Sequence, residues 1–126
     1  MIQGMGVDIV EIHRIEEMIR KYADRFLGKV FTPAEMGFCD AMAAPHVHYS
    51  GRWAVKEAFY KALPSHCQPL SNWKSVEVLP DHTHRRPVLT VVDPGLSRRM
   101  AECGISRTHV SISHERTVCV ACVVLE

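Results

Sequence analysis

The sequence has no long apolar run and no cationic leader. Nowhere do about 18 apolar residues follow one another, the length that predicts a membrane-spanning helix. Residues 1–8 form an apolar stretch interrupted by two glycines and an aspartate, without the basic region that begins a signal peptide. These absences predict a cytoplasmic protein with no membrane partner.

A strong excess of charge of either sign is also absent. Fifteen Lys and Arg residues balance fourteen Asp and Glu residues, so the net charge is +1 at pH 7. Such a chain has no overall field that would drive it onto nucleic acid. We therefore predict no nucleic-acid partner, and we expect any charged partner to bind a local patch.

The common signature motifs are missing too, including the phosphate-binding glycine loops and the nucleophile elbow of hydrolases. Cysteine is scarce: five residues, an odd number in apolar surroundings, indicate reduced structural thiols rather than a disulfide framework. Cys119 and Cys122 match a C-x-x-C pattern, but on a strand they would point to opposite faces. That pattern therefore predicts neither a metal site nor a redox pair.

What is present is the composition of a small globular domain. Apolar residues make up 47% and charged residues 23% of the 126 residues, close to the averages of globular proteins. This length suits one hydrophobic core, so we predict a single domain over residues 1–126. The order of the strand and helix patterns predicts the α+β class, with an antiparallel sheet packed against helices.

Alternating and β-branched runs predict the strands, and a 3.6-residue apolar period predicts the helices. The predicted strands cover residues 2–10, 76–79, 88–92, 109–114 and 117–125, and the last is apolar on both faces, as a central strand would be. The predicted helices cover 12–27 with Gly28 as the stop, a segment from the capping box of Thr32 and Glu35 to Pro45, 50–63, and 94–103. Residues 64–72 read as a loop.

The first predicted helix carries a basic face opposite its apolar stripe. It holds five of the fifteen basic residues, namely Arg14, Arg20, Lys21, Arg25 and, just beyond the helix, Lys29. Charge on a helix surface usually does no more than face solvent. An ordinary solvated face and a docking surface are therefore both open at this point.

Two acidic residues have unusual surroundings. Asp8 lies between Val7 and Ile9 in an apolar strand, where a carboxylate is costly to bury without a cation or hydrogen-bond donors. Glu57 and Lys61 are four residues apart and share one helix face. The ordinary interpretations are a solvated strand end and a surface ion pair.

The surrounding residues favour a different interpretation of those acids. Three cations, Arg52, Lys56 and Lys61, accompany Glu57, an arrangement suited to a polyphosphate with a bridging hard metal ion. Without a Cys or His ligand pattern, Asp8 and Glu57 favour oxygen-ligated Mg²⁺ over zinc. His114, at the exit of the strand 109–114, is either a structural turn cap or a general acid or phosphate ligand.

Four motifs follow one another along the chain: GVDIVEI at 6–12 with Arg14, FTPAE at 31–35, WAVKEA at 53–58 with Lys61, and HVSISH at 109–114. In this order they resemble the motifs of the holo-(acyl-carrier-protein) synthases, the short class of 4′-phosphopantetheinyl transferases. Together they span nearly the whole chain. The resemblance implies the transferase-like fold and the transfer of 4′-phosphopantetheine from coenzyme A to a serine of apo acyl carrier protein, in fatty acid biosynthesis.

The resemblance also implies roles for single residues. Asp8 and Glu57 would hold Mg²⁺, and the coenzyme A contacts would be Arg52, Lys56, Lys61, Pro87 and His114. Lys61 would neutralise phosphoryl charge, while Glu57 and His114 are both plausible acceptors of the serine proton. The five cations of the first helix would dock the acidic carrier protein, and the assembly would be a homotrimer with the coenzyme site between subunits.

The sequence departs from the family pattern at two places. Glu115 follows the second histidine where many relatives carry Asp, which leaves the role of that acid open. Arg85 and Arg86 precede Pro87 where relatives often have Gly-Lys, so the cation is kept and the glycine is not. The alternative function is a non-catalytic module of the same fold that binds acyl carrier protein or a nucleotide.

Overall fold

Two antiparallel sheets and five helices make up the part of the chain that the computed structural model describes, residues 1–68 and 72–126. The strands are β1 (Gly4–Glu11), β2 (Val76–Pro80), β3 (Pro87–Val91), β4 (Thr108–His114) and β5 (Val118–Leu125). The helices are α1 (Ile12–Tyr22), α2 (Asp24–Val30), α3 (Pro33–Asp40), α4 (Pro45–Ala62) and α5 (Pro94–Glu102), with 3₁₀ turns at Ser65–Cys67 and Trp73–Ser75.

The predicted α+β class with antiparallel sheets is confirmed. Residues 69–71 of the predicted loop lie outside the described residues. Across the described ranges, no helix combines the length and the apolar character that a membrane crossing requires.

The larger sheet has the strand order β1-β5-β4, so β5 is central as its two apolar faces predicted. In this sheet Asp8 pairs with Ala121, and Ala121 pairs on its other side with Ile112. β2 and β3 form a separate antiparallel hairpin. The sheet has one face against α4, and that face with α4 contributes half of the buried residues of the larger hydrophobic core.

Helix α4 lies unusually close to the backbone of β1. A Cβ atom added at Gly4 or Gly6 would overlap the carbonyl oxygens of Ala62 and Ala58. Only glycine leaves room for this approach. The contact matters for the site because it brings Asp8, on the same face of β1, against the side of α4 that carries Glu57.

The predicted continuous helix over residues 12–27 is wrong. The chain breaks at Ala23, whose φ of 46° and ψ of −124° are incompatible with a helix, and Gly28 lies inside α2 rather than ending the helix. The turn allows Phe26 to pack against Phe31 and Trp53, with ring centroids 6.0 and 5.9 Å apart. Burial of this aromatic group outweighs continuation of a single helix.

The start of α4 also differs from the prediction. The helix begins at Pro45, five residues before the predicted start, and Pro45 opens this helix instead of closing the preceding one. Proline is well suited to the first helical position, because the amide hydrogen it lacks would have no partner there. The extra turn adds His48 to the same side of the helix as Arg52.

The predicted capping box at Thr32 and Glu35 is confirmed. The Glu35 backbone N–H donates to the Thr32 hydroxyl at 3.2 Å, and the Thr32 N–H donates to Glu35 Oε1 at 2.9 Å. Glu35 has a second role that the sequence does not reveal. Its Oε1 accepts from Lys56 Nζ at 2.8 Å, and its Oε2 accepts from the Val78 N–H at 2.8 Å.

The prediction that Lys56 contacts coenzyme A is wrong. Its side chain has no exposed surface, and besides Glu35 its ammonium group donates to the carbonyl oxygens of Val30, Trp73 and Val76 at 2.8 to 3.0 Å. An ammonium group has only three protons, and all of them face acceptors inside the protein. Lys56 therefore joins elements of the fold and cannot reach a ligand.

Candidate functional site

The first part of the candidate site is formed where β1 meets the last turns of α4. Lys61 Nζ lies 3.0 Å from Asp8 Oδ1 and donates to the carbonyl oxygen of Val7 at 3.2 Å. The Asp8 side chain is only 14% exposed, whereas that of Lys61 is 52% exposed. The carboxylate is thus held between strand and helix, with the ammonium group on the solvent side.

Glu57 belongs to the same cluster. Burial raises the pKa of Glu57 above its usual range, and the negative charge of Asp8 raises it further, while Lys61 opposes both effects. Two carboxylates that repel one another beside a single ammonium group form a site that an additional cation would stabilise. Carboxylate oxygens are the protein ligands that Mg²⁺ takes, usually one or two of them, so Asp8 and Glu57 fit the predicted magnesium pair.

The second part of the site is a recess of about 270 Å³ on the other side of α4. Three of the predicted coenzyme A contacts line it, namely Arg52 from α4, Pro87 from β3 and His114 from β4. The rest of its wall is mainly apolar and comes from α3, α4 and the two sheets. Its other lining residues are Phe38, Met42, Val47, His48, Gly51, Pro80, Arg85, Ile112 and Cys119.

The charge of this recess is positive. Arg52 is 5% exposed, its guanidinium group lies 4.4 Å from the centre of the Phe38 ring, and within the described residues its Nε has no hydrogen-bond partner. Arg85 adds a second permanent cation, and the lining contains no Asp or Glu. A buried arginine without a carboxylate partner is costly unless a ligand supplies the negative charge, so the recess suits an anion such as a phosphate.

His48 is a lining residue that the sequence analysis did not single out. Burial lowers the pKa of His48, and the neighbouring Arg52 and His114 lower it further. Its ring packs edge-on against Phe38 at 5.7 Å. The sequence signal for His48 is Pro45, because proline is favoured at the first position of a helix. A helix that begins at Pro45 places His48 one turn before Arg52.

The structure brings the predicted site residues together in two sets rather than one. Asp8, Glu57 and Lys61 lie at the β1 edge, while Arg52, Pro87 and His114 lie at the recess beside β4. β1 and β4 are the two edges of the larger sheet, with β5 between them. Within one chain the carboxylates and the anion recess therefore occupy opposite flanks of α4.

The five predicted docking cations are all exposed, but they do not share one helix face. Arg14 and Lys21 border a shallow groove with Glu17, Met18 and Tyr22 on α1, and Arg25 from α2 lies 5.8 Å from the same Tyr22 ring. Arg20 and Lys29 do not line this groove. Arg20 Nη2 is 3.8 Å from Oε1 of Glu17, and Arg20 lines a different recess beside α4.

Comparison with known proteins gives consistent matches along the whole chain. A family model described as the 4′-phosphopantetheinyl transferase superfamily matches residues 4–121. The holo-(acyl-carrier-protein) synthase of Halothermothrix orenii is 41% identical over 126 residues, which cover 100% of this chain and 98% of the relative.

Solved structures match equally well. A crystal structure of the holo-(acyl-carrier-protein) synthase from Neisseria meningitidis is similar with a TM-score of 0.87 and 31% identity, covering 100% of this chain and 99% of that one. The Chronobacterium ammoniagenes ACPS–CoA complex is similar with a TM-score of 0.77 and 30% identity, covering 97% and 95% of the two chains.

Replacement of Glu57 by glutamine should stabilise the metal-free protein at neutral pH. The contribution of an acid whose pKa is raised by folding to the stability of the folded state is full below its unfolded pKa and is lost as the pH rises through the folded pKa. Glu57→Gln removes the buried charge, so its free energy of unfolding should exceed that of the wild type near pH 7 and approach it at acidic pH. Denaturant titrations without divalent ions measure the difference.

The matched control for this change is Glu102→Gln, which alters an exposed glutamate of α5. Its free energy of unfolding should follow that of the wild type at both pH values. A metal-free Glu57→Gln protein less stable than the wild type near pH 7 would contradict the repulsion between Asp8 and Glu57.

Proposed function

Because the chain belongs to the 4′-phosphopantetheinyl transferase superfamily, and within it to the holo-(acyl-carrier-protein) synthases, we propose that it transfers 4′-phosphopantetheine from coenzyme A to a serine of apo acyl carrier protein. The observation that carries the proposal is the pairing of a carboxylate and ammonium cluster with a cationic recess on the same helix. Coenzyme A contains a diphosphate and an additional phosphate at its nucleotide end. The carboxylate and ammonium cluster suits the diphosphate, and the cationic recess suits the additional phosphate.

In the proposed reaction the serine oxygen forms a bond to the phosphorus that carries the pantetheine arm. The bond from that phosphorus to the bridging oxygen of the diphosphate breaks, and adenosine 3′,5′-bisphosphate leaves with the electron pair. The serine proton passes to a base. Negative charge grows on the phosphoryl oxygens and on the leaving phosphate, so catalysis depends mainly on cations placed at those atoms.

Asp8 and Glu57 would hold Mg²⁺, and a bound magnesium ion supplies positive charge to diphosphate oxygens. Lys61 contributes a second positive charge from the same cluster, since its ammonium group is half exposed and already turned toward the carboxylates. With Asp8 and Glu57 engaged as metal ligands, the Lys61 ammonium group would contact a phosphoryl oxygen instead of Asp8.

Arg52, Arg85, His48 and His114 would bind the phosphate at the nucleotide end of coenzyme A. The buried Arg52 guanidinium group is held by stacking on Phe38, so little side-chain entropy is lost when an anion binds. Pro87 supplies an apolar wall of the same recess.

The proton acceptor is one of two groups, Glu57 or His114. Glu57 lies in the carboxylate cluster where the reaction takes place, and its raised pKa favours proton uptake while no metal ion is bound. His114 lies at the anion recess. A His114 variant that lowers kcat without raising KM for coenzyme A would identify His114 as the base, whereas one that mainly raises KM would identify it as a binding residue.

The basic surface around α1 would dock the acidic carrier protein. We define the docking groove by three cations, one carboxylate and two largely apolar side chains, namely Arg14, Lys21, Arg25, Glu17, Met18 and Tyr22. Arg20 and Lys29 would add attraction at the periphery. A mixed surface of this kind gives a charged partner both long-range steering and a small apolar contact.

We further propose a homotrimer in which each coenzyme A lies between two chains. The outer face of the larger sheet is an uncovered apolar surface, with Met5, Val7 and Ile9 each more than half exposed and with four half-buried residues of β5 beside them. A second copy on this face would bring its carboxylates toward the anion recess of the first. That arrangement accounts for the separation of the two sets of site residues within one chain.

Two finer parts of the proposal rest on family membership: the carrier protein belongs to fatty acid biosynthesis, and the reaction takes place in the cytoplasm. Depletion of the protein in its own cells should leave the carrier in its apo form and slow fatty acid synthesis. A carrier that stays fully modified after depletion would contradict this assignment.

Transfer activity is tested by incubating the protein with coenzyme A, Mg²⁺ and apo carrier and weighing the carrier by mass spectrometry. The wild type should add the mass of one phosphopantetheine group, and omission of Mg²⁺ should abolish the addition. Asp8→Asn and Glu57→Gln should each lower kcat by about 100-fold or more, while the exposed Glu102→Gln should not. Binding of coenzyme A without transfer would favour the non-catalytic module.

Carrier docking is tested by the salt dependence of KM. Arg14→Ala, Lys21→Ala and Arg25→Ala should each raise KM for the carrier about two- to fivefold with little change in kcat, the effect expected of single exposed charges. The wild-type KM should rise with ionic strength because salt screens these charges. Arg98→Ala, an exposed cation on α5, is the control. A KM that does not respond to salt would contradict the docking role.

The shared site is tested by mixing two inactive variants. If each site combines the carboxylates of one chain with the recess of another, mixed trimers should be partly active. In them an Arg52→Ala chain can supply intact carboxylates to the intact recess of a Glu57→Gln chain. The solution mass should be three times the chain mass of 14.2 kDa. Val7→Lys should dissociate the assembly, and Val92→Lys, an exposed valine elsewhere, should not. A trimer without recovery would show that each site lies within one chain.

A further inference from the structure

Two cysteines far apart in the sequence meet at a point that the proposed reaction does not use. Cys67 lies in the 3₁₀ turn that follows α4, and Cys103 is the C-cap of α5. Their sulfur atoms are 2.8 Å apart, and Cys67 Sγ also lies 3.7 Å from the carbonyl oxygen of Arg99. Neither was distinguished from the other structural thiols by its sequence context.

A third donor completes the cluster. The ligand atoms of His66, Cys67 and Cys103 all lie within 4.8 Å of one another. Cys67 is fully buried, Cys103 is partly buried and His66 is exposed, so the cluster opens to solvent on the imidazole side. Among the described residues, nothing forms a hydrogen bond or ion pair with the His66 ring. The imidazole is therefore available to a ligand.

We propose that His66, Cys67 and Cys103 bind one zinc-class divalent metal ion. Two thiolates and an imidazole are the donors that zinc and other borderline-soft ions prefer, and three protein ligands leave a fourth position for water. This donor set differs in kind from the carboxylate pair of Asp8 and Glu57, which suits a hard ion.

Binding requires a small adjustment of the sulfur atoms. Two sulfurs that bind one tetrahedral zinc ion at about 2.3 Å lie about 3.8 Å apart, so Cys67 and Cys103 would separate by about 1 Å. Cys103 is at the end of α5 and partly exposed, which allows its side chain to move outward toward His66.

Metal binding would release protons. Burial, together with the hydrogen bond to Cys103, raises the pKa of Cys67 to about 11, so this thiol is protonated in the metal-free protein at neutral pH. One ion displaces one proton from each thiol and forms two metal–sulfur bonds. The apparent affinity should therefore rise with pH.

The ion would join the end of α4 to the end of α5. The turn that carries His66 and Cys67 is already fixed to α4, because Gln68 Nε2 donates to the carbonyl oxygens of Tyr60 at 2.9 Å and Leu63 at 3.0 Å. A metal bond from this turn to Cys103 would add a link between the two helices. Metal binding should therefore raise the midpoint of thermal unfolding.

The experiment titrates the reduced, metal-depleted full-length protein with zinc against a chromophoric chelator. The wild type should bind one zinc ion per chain, with a higher midpoint of thermal unfolding in the presence of zinc. Substitution of cobalt should give a sulfur-to-cobalt charge-transfer band that the carboxylate pair cannot produce. His66→Ala, an exposed change that leaves the core intact, and Cys103→Ser should each weaken zinc binding at least tenfold.

Two control variants separate this site from other ligands. Asp8→Asn should keep the tightly bound zinc ion, because it alters only the carboxylate pair, and Cys122→Ser should keep it because that thiol lies on the sheet. Zinc binding unaffected by His66→Ala and Cys103→Ser would overturn the proposal, as would no binding by the reduced wild type. A Cys67–Cys103 disulfide with no zinc affinity after reduction would identify a redox pair instead.

Discussion

Lys56 and Glu35 form an ion pair with no exposed surface on either side chain, and the loss of hydration of two charges is offset only by complete hydrogen bonding. The Lys56 ammonium group reaches the end of α2, the turn before β2 and the first residue of β2, while Glu35 caps α3 and binds the Val78 amide. Removal of one partner from such a pair typically costs about 3 to 5 kcal/mol.

The geometry of the candidate site follows from this pair. The pair fixes α4 in the middle of its length, so that Arg52 and His48 lie on one flank and Glu57 and Lys61 on the other. The same pair holds α3 and β2, which supply Phe38 and Pro80 to the wall of the anion recess. At the opposite flank, the close approach of β1 depends on Gly4 and Gly6, and it sets the position of Asp8.

The near-neutral net charge conceals a strongly uneven distribution. Two carboxylates lie together at the β1 edge, cations without a carboxylate partner among the described residues collect at the recess beside β4, and a third group, mainly of cations, lines the groove on α1. Under the proposed function, the first group would hold a hard metal ion, the second would bind a phosphate, and the third would bind an acidic protein. A small chain with almost no net charge can therefore present a separate surface to each of three charged ligands.

Local patterns in the sequence determined the strands, the capping box at Thr32 and Glu35, and the family motifs with Asp8, Glu57 and Lys61, because these depend on neighbouring residues and fixed spacings. The tertiary structure alone decided the rest. The first helix ends at Ala23, so that Phe26 can be buried, and the Lys56 side chain is buried away from any ligand. His48 lines the recess, and Cys67 lies beside Cys103. These outcomes depend on burial and on contacts between distant segments, which no local spacing encodes.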